Sequence, residues 1–259
     1  MNILDQIIAH KRKEIAQNKA QTPVEVLRQS ELYGRTCFSL KSSLLDPSKT
    51  GIIAEFKRRS PSKGIIHPNP NVLNITAAYT EGGASALSVL TDQNFFGGSN
   101  QDLMLARKNN IPILRKDFII DPYQIEEAKS IGADVILLIA ACLTPEEVQH
   151  LAKYAIQLGL EVLLELHDES ELEHVCQEIS IVGINNRNLK TFEVDIEQSI
   201  RMAGQIDPAK VLVAESGISS LNEVKYFKSI GFKGFLMGEY FMKHNDPGKA
   251  FHDFVYALG

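Results

Sequence analysis

From residue 52 onward the chain alternates short apolar runs with helix-like segments eight times, and this alternation restricts the fold more than any other feature. The runs cover 52–57, 86–90, 111–114, 135–139, 160–164, 181–184, 211–214 and 235–237. The helix-like segments cover 71–82, 101–109, 122–131, 145–158, 169–178, 196–205, 221–230 and 247–258. Several open on a cap. Asp121-Pro122, Thr144-Pro145-Glu146-Glu147 and Ser219/Ser220 before Glu223 pair cap side chains with Pro near the first helical position or acids in the first turn. Gly82, Gly132, Gly159 and Gly231 follow helices, where a left-handed C-terminal residue is cheapest. Eight strand–helix units predict an α/β fold closed as a (β/α)8 TIM barrel. A doubly wound open sheet is the alternative, but no G-x-G-x-x-G fingerprint accompanies it.

About fifty residues precede the first convincing strand. Ile3, Leu4, Ile7, Ile8, Lys11 and Ile15 follow helical spacing, Thr22-Pro23 reads as a cap with Pro at the first helical position, and 38–45 reads as another short helix. The 259 residues are therefore read as one barrel domain, 51–259, with an N-terminal helical extension, 1–50, that caps one end or lies against the helical ring. The net charge of −5 comes without a block of like charge, so no nucleic-acid or membrane arm is expected and an anionic ligand must be held locally. Cys37, Cys142 and Cys176 are odd in number and far apart, which argues for buried free thiols in a reducing cytosol. No signal-peptide core or membrane-length apolar window is present, and a cytoplasmic location is expected.

In such a barrel the chemistry sits where the strands end. The first run opens into Glu55 and Lys57, which alternation places on one face. The third run ends in Arg115-Lys116-Asp117-Phe118, the fifth in Glu165, the sixth in Asn185-Asn186-Arg187 and the seventh in Glu215-Ser216. Taken singly, each is as well explained by a structural ion pair or a solvated loop charge. Lys116 shares a face with Leu114, and Glu165 with Leu163. If both face the axis, apolar walls would move their pKa values towards neutrality, as a general acid and a general base require. Glu215-Ser216-Gly217 and Met237-Gly238-Glu239 each lead from a strand into a helix and could hold a phosphate on backbone N–H groups, with the Glu239 carboxylate turned away. Phe95-Phe96-Gly97-Gly98 could wall an aromatic ligand or simply anchor a loop. His167-Asp168-Glu169 offers metal ligands superficially, but a helix cap explains it better.

Together IIAEFKRRSPSKG, SVLTDQNFFGGS, ILRKDFIID, EVLLELHDESE, IVGINNRNLKTFEVD, VAESGI and GFLMGE resemble the indole-3-glycerol phosphate synthase family, in order from about Leu4 to the final helix. The resemblance implies a lyase of tryptophan biosynthesis that closes, decarboxylates and dehydrates 1-(2-carboxyphenylamino)-1-deoxyribulose 5-phosphate with no metal or organic cofactor. It implies Lys116 as general acid, Glu165 as base, Lys57 as an anion-binding group and possible second acid held by Glu55, and Asn185 as a positioning group. Ser60, Phe96, Phe118, Arg187, Leu189, Glu215 and Ser216 fall at substrate-binding positions, and Gly217, Gly238 and Glu239 at the phosphate. A fused isomerase, as in some relatives, is not expected after the eighth helix. Oligomeric state is left open by the sequence, and a monomer is compatible with it. A phosphoribosylanthranilate isomerase on the same barrel would use an Asp/Cys pair where this chain has Lys and Glu. A regulatory barrel that binds without turnover would have no reason to keep that set.

Overall fold

The computed structural model of the chain describes residues 3–186 and 196–259. Its eight long strands are β1 Ile52–Phe56, β4 Ala86–Leu90, β5 Ile113–Lys116, β6 Val135–Ile139, β7 Glu161–Leu166, β8 Ile181–Asn185, β9 Val211–Glu215 and β10 Gly234–Met237. All are parallel, and they close into a barrel in the order β1, β10, β9, β8, β7, β6, β5, β4. Each lies within two residues of a run expected from the sequence. The short antiparallel pair β2 Arg59–Ser60 and β3 Gly64–Ile65 was not expected, because two-residue strands carry no periodicity. It folds the Ser-Pro-Ser-Lys stretch back over the end of β1.

Strand alternation divides the core in two. Ile53, Leu114, Leu137, Leu163, Val213 and Leu236 fill the barrel, while Ile52, Ala54, Val162, Leu164 and Ala214 face the surrounding helices. The lateral helices are α4 Val72–Glu81, α5 Asn100–Ala106, α6 Pro122–Ser130, α7 Pro145–Gln157, α8 Ile196–Ala203, α9 Leu221–Ser229 and α11 Pro247–Leu258. Asp121, Thr144 and Ser220 cap as expected, the last two in full capping boxes.

Two helical expectations are corrected. Between β7 and β8 the segment expected as a helix over 169–178 is a 3-10 helix, Glu169–His174. There the two nitrogens of the His174 ring face the carbonyls of Glu171 and Leu143, each at 3.0 Å, and the Val175 N–H returns to Leu172 rather than Glu171. Thr22 does not cap. Pro23 occupies the cap position without a side-chain bond, and the helix that follows, α2 Val24–Leu27, is a single turn. A four-residue helix, α10 Glu239–Met242, also separates β10 from α11.

Before β1 the structure has α1 Ile3–Gln21, α2 and α3 Leu40–Leu45, joined by turns and irregular chain rather than a continuous helical unit. α1 buries Ile7, Lys11 and Ile15. Asp134, at the entrance to β6, fastens the link to α3 by accepting from Arg35 at 2.7 Å, Arg107 at 2.5 Å, and the backbone N–H groups of Phe38 at 2.7 Å and Ile113 at 2.8 Å. Glu161, at the entrance to β7, accepts from Ser39 Oγ and the backbone of Lys41. The three cysteines are free thiols, but partly rather than fully buried. No helix among the described residues is long and apolar enough to cross a membrane.

Candidate active site

The carboxyl ends of the strands surround a cavity of about 340 Å3. Register sets its chemistry. Ile139 pairs with Glu165, Leu90 with Lys116, and Asn185 with Glu215, so the polar residues closing β5, β7, β8 and β9 reach one level of the barrel. Lys116 Nζ donates to Glu165 Oε2 at 2.6 Å and to Glu215 Oε2 at 3.4 Å. Asn185 Nδ2 donates to Glu165 Oε1 at 2.8 Å. On the far wall Lys57, just past β1, pairs with Glu55 at 2.5 Å, as their shared parity required.

Two glycines make this packing possible. A Cβ on Gly183 would lie 2.1 Å from Glu215 Oε1, and one on Gly238 would lie 2.3 Å from Glu55 Oε2. The buried carboxylates therefore occupy the volume of absent side chains. Ser216 has a left-handed φ of 59°, uncommon for a non-glycine residue, and is followed by Gly217 at 70°. The Ser216 carbonyl accepts from Asn186 Nδ2 at 2.8 Å, which holds the loop in that shape.

The electrostatics reverse one expectation. Burial opposes the charge on Lys116, but the carboxylates of Glu165, Glu215 and Glu55 outweigh it and raise the ammonium above its ordinary range. Burial likewise opposes ionisation of Glu165, yet Lys116 and His167 hold its carboxyl well below the usual carboxylate range. Neither moves towards neutrality. The group that does is Glu215, pushed up to about 8 by burial and by the charges of Glu165 and Glu55, against the pull of Lys116. Its Oε1 is buried and has no hydrogen-bond partner among the described residues. At neutral pH the site thus favours an ionised carboxylate at Glu165, a charged ammonium beside it at Lys116 and a protonated carboxyl at Glu215.

The remaining expected residues converge here. Ser60, Phe96, Phe118, Ser216, Gly217, Gly238 and Glu239 all line the cavity. The Phe96 and Phe118 rings stand 6.0 Å apart as two sides of an aromatic wall. Glu239 Oε1 lies 3.8 Å from Lys63 Nζ. Arg187 and Leu189 lie outside the described residues.

A family model described as indole-3-glycerol phosphate synthase matches residues 4–254. A protein of that name from Bacteroides thetaiotaomicron is 50% identical over 258 residues, 99% of each chain, and one from Polaromonas sp. is 44% identical over 254 residues, 96% of each. The chain belongs to the indole-3-glycerol phosphate synthase family. Among solved structures, tryptophan synthase subunit alpha from Legionella pneumophila aligns with a TM-score of 0.62 at 13% identity, over 85% of this chain and 96% of that one. Thiamine phosphate pyrophosphorylase from Pyrococcus furiosus aligns at 0.59 and 16% identity, over 85% and 99%. At such identities these two report the barrel alone.

Relative to the synthase positions read from the sequence, the structure adds contributors that sequence reasoning passed over. Ile3, Leu4 and Ile7 of α1 line the cavity. Their apolar stripe was legible, but not its destination. His167, set aside as part of a helix cap, stands against Glu165. Asp168 does cap the 3-10 helix, accepting from the Ser170 backbone at 2.9 Å, so the neighbouring residues divide the two roles.

Proposed function

We propose that this mouth converts 1-(2-carboxyphenylamino)-1-deoxyribulose 5-phosphate to indole-3-glycerol phosphate, carbon dioxide and water, as a carboxy-lyase of tryptophan biosynthesis. The observation that carries the reading is the Lys116–Glu165 pair at 2.6 Å in the barrel mouth, in a chain matched by the synthase family model over 4–254. A charged amine beside an ionised carboxylate supplies an acid and a base without either leaving the site.

Lys116 donates a proton to the C2′ carbonyl oxygen as the ring carbon bearing the carboxylate attacks C2′. The new C–C bond closes the five-membered ring, and loss of carbon dioxide returns its bonding electrons to the ring. Dehydration follows: Glu165 takes the proton from the carbon next to the departing hydroxyl, which leaves as water, and the indole becomes aromatic. Lys57, held by Glu55, binds substrate anions and can protonate that hydroxyl. Phe96 and Phe118 enclose the anthranilate ring, Asn185 orients Glu165, and Ser60 and Ser216 contact the sugar side. The neutral Glu215 can donate its O–H to the substrate. Gly217, Gly238 and the Glu239 backbone hold the phosphate. Arg187 and Leu189 retain the binding roles their positions in the family motif imply.

The first fifty residues are read as a cap of this one-domain barrel, with α1 forming one wall of the site, and the protein as a cytoplasmic enzyme competent as a monomer. The deciding experiment is indole fluorescence during incubation with the carboxyphenylamino-deoxyribulose phosphate in the presence of a chelator. The chain has no Trp, so background is low. A rise is expected. Binding without a rise would favour a regulatory barrel, and neither would overturn the reading.

A further inference from the structure

Glu165 is approached by a cation on each oxygen. Lys116 takes Oε2, and on the other side His167 Nε2 lies 3.0 Å from Oε1, the atom that also accepts from Asn185. His167 is 8% exposed, and its Nδ1 lies 3.5 Å from Glu171 Oε2. Both ring nitrogens are buried, and each faces a carboxylate. Its backbone is fixed at both ends: the N–H donates to Glu171 Oε2 at 2.6 Å, and the carbonyl accepts from Gln198 Nε2 at 3.2 Å. A loop residue held this firmly against the candidate base is unexplained by the roles assigned so far.

We propose that His167 is a positioning residue, a second buried cation clamped between Glu165 and Glu171 that keeps the base charged and oriented after Lys116 has given up its proton. The inference rests on the reading of Lys116 as acid and Glu165 as base. If Lys116 were the sole counter-charge, its donation to the substrate would leave Glu165 in an apolar enclosure beside Glu215, with Glu55 across the mouth. The base would then protonate before the dehydration step that needs it. A cation that takes no part in the chemistry removes this dependence.

The surroundings agree. Glu165 faces Lys116 from β5, Asn185 from β8, Glu215 from β9 and His167 at the end of its own strand. Cys142, in the 3-10 helix Ala140–Cys142 after β6, also senses both Glu165 and Glu171, and its thiol is pushed up to about 12, chiefly by burial. For His167 burial disfavours the charged ring, but Glu165 and Glu171 outweigh it and bring the imidazolium up to about 10. It is therefore positively charged throughout the physiological range.

The test is the pH profile of kcat for His167→Gln, read by product fluorescence at saturating substrate from pH 5 to 9. Removing a neighbouring cation raises the pKa of Glu165, so the acidic limb should move up by about one pH unit or more relative to wild type, lowering the rate on that limb about tenfold or more while the rate at pH 8.5 stays within about threefold. A merely structural role would lower Tm and leave the limb in place, and that result overturns the proposal. If His167→Gln does not fold, ring 15N NMR of the wild-type protein decides instead: both nitrogens protonated at pH 8 supports it, and a neutral ring at pH 8 overturns it. Glu165→Gln separates the layers. If that variant keeps turnover, the base reading fails; if it is inactive while His167→Gln follows the wild-type profile, only the present inference fails.

Discussion

The two ends of the barrel bury carboxylates in opposite ways. At the amino end Asp134 is fully buried and accepts from two guanidinium groups and two backbone N–H groups, so both its oxygens are well supplied with donors. At the carboxyl end Glu55, Glu165 and Glu215 gather around Lys57 and Lys116, and one oxygen of Glu215 has no hydrogen-bond partner among the described residues. A saturated carboxylate fixes geometry and has little left to offer a ligand. An undersupplied cluster keeps acid, base and donor capacity for a substrate, and its unpaired atom is a standing desolvation penalty. Charge type alone would not tell the ends apart; the supply of donors does.

The largest expected effect is at the carboxyl end. Lys116→Met, which keeps the volume and removes the proton, should lower kcat by about 10^2- to 10^4-fold, as should Glu165→Gln. Steady-state product fluorescence on folded protein checks both, and near-wild-type turnover in either would remove that residue from the mechanism. The mirror experiment is Asp134→Ala. It leaves the buried Arg107 without its counter-charge and the buried Ile113 N–H without an acceptor, and should lower stability by about 3–5 kcal/mol in denaturant titration, while kcat of the folded fraction stays within about twofold. A large kcat loss there, at unchanged stability, would break the contrast between the ends.

The same contrast separates what the sequence disclosed from what it withheld. The barrel was legible because each strand is a contiguous apolar run between capped helices, a local signal. Most of the lining of the candidate site was legible too, since Glu55, Lys116, Glu165, Asn185 and Glu215 are polar residues at the ends of such runs. The direction of their pKa shifts was not. Burial alone predicts neutral groups, and only the barrel's register reveals that Lys116 meets three carboxylates, so that mutual attraction outweighs desolvation for Lys116 and Glu165 and fails to do so for Glu215. His167 was hidden for a related reason: beside Asp168 and Glu169 it looks like a cap, and its partner Glu165 becomes visible only when β7 ends and the loop turns. The pair β2–β3 and the helix α10 are too short to carry any periodicity.

A pH-dependent effect of intermediate size sharpens the comparison. In the folded chain the Glu215 carboxyl sits at about 8, against an ordinary value of 4.5. Between those values the folded protein holds a proton that the unfolded chain releases, so this group's stabilising contribution is full below pH 4.5 and is lost as pH rises through 8. The amide introduced by Glu215→Gln has no such proton to lose. The Tm of that variant relative to wild type should therefore climb between pH 5 and 8, by on the order of 5 °C, and level off above. A difference that is flat over this range would mean that Glu215 is ionised in the folded protein and belongs with the saturated carboxylates after all.

The smallest effect tests whether saturation, rather than burial, is the operative variable. Glu126 on α6 is buried, and it accepts from Arg28 at 2.5 Å, from Tyr33 at 2.5 Å and from Tyr154 at 2.6 Å. Arg28 is itself half exposed. Deleting it as Arg28→Ala leaves the carboxylate two phenolic donors, and water can reach the place the guanidinium vacates. Exposed partners of this kind contribute little, so Tm should change by no more than about 2 °C, with kcat and KM unaltered. A drop as large as that of Asp134→Ala would show that these phenols cannot sustain a buried carboxylate without a cation. The distinction between the two ends would then rest on net charge, with the number of donors a secondary quantity.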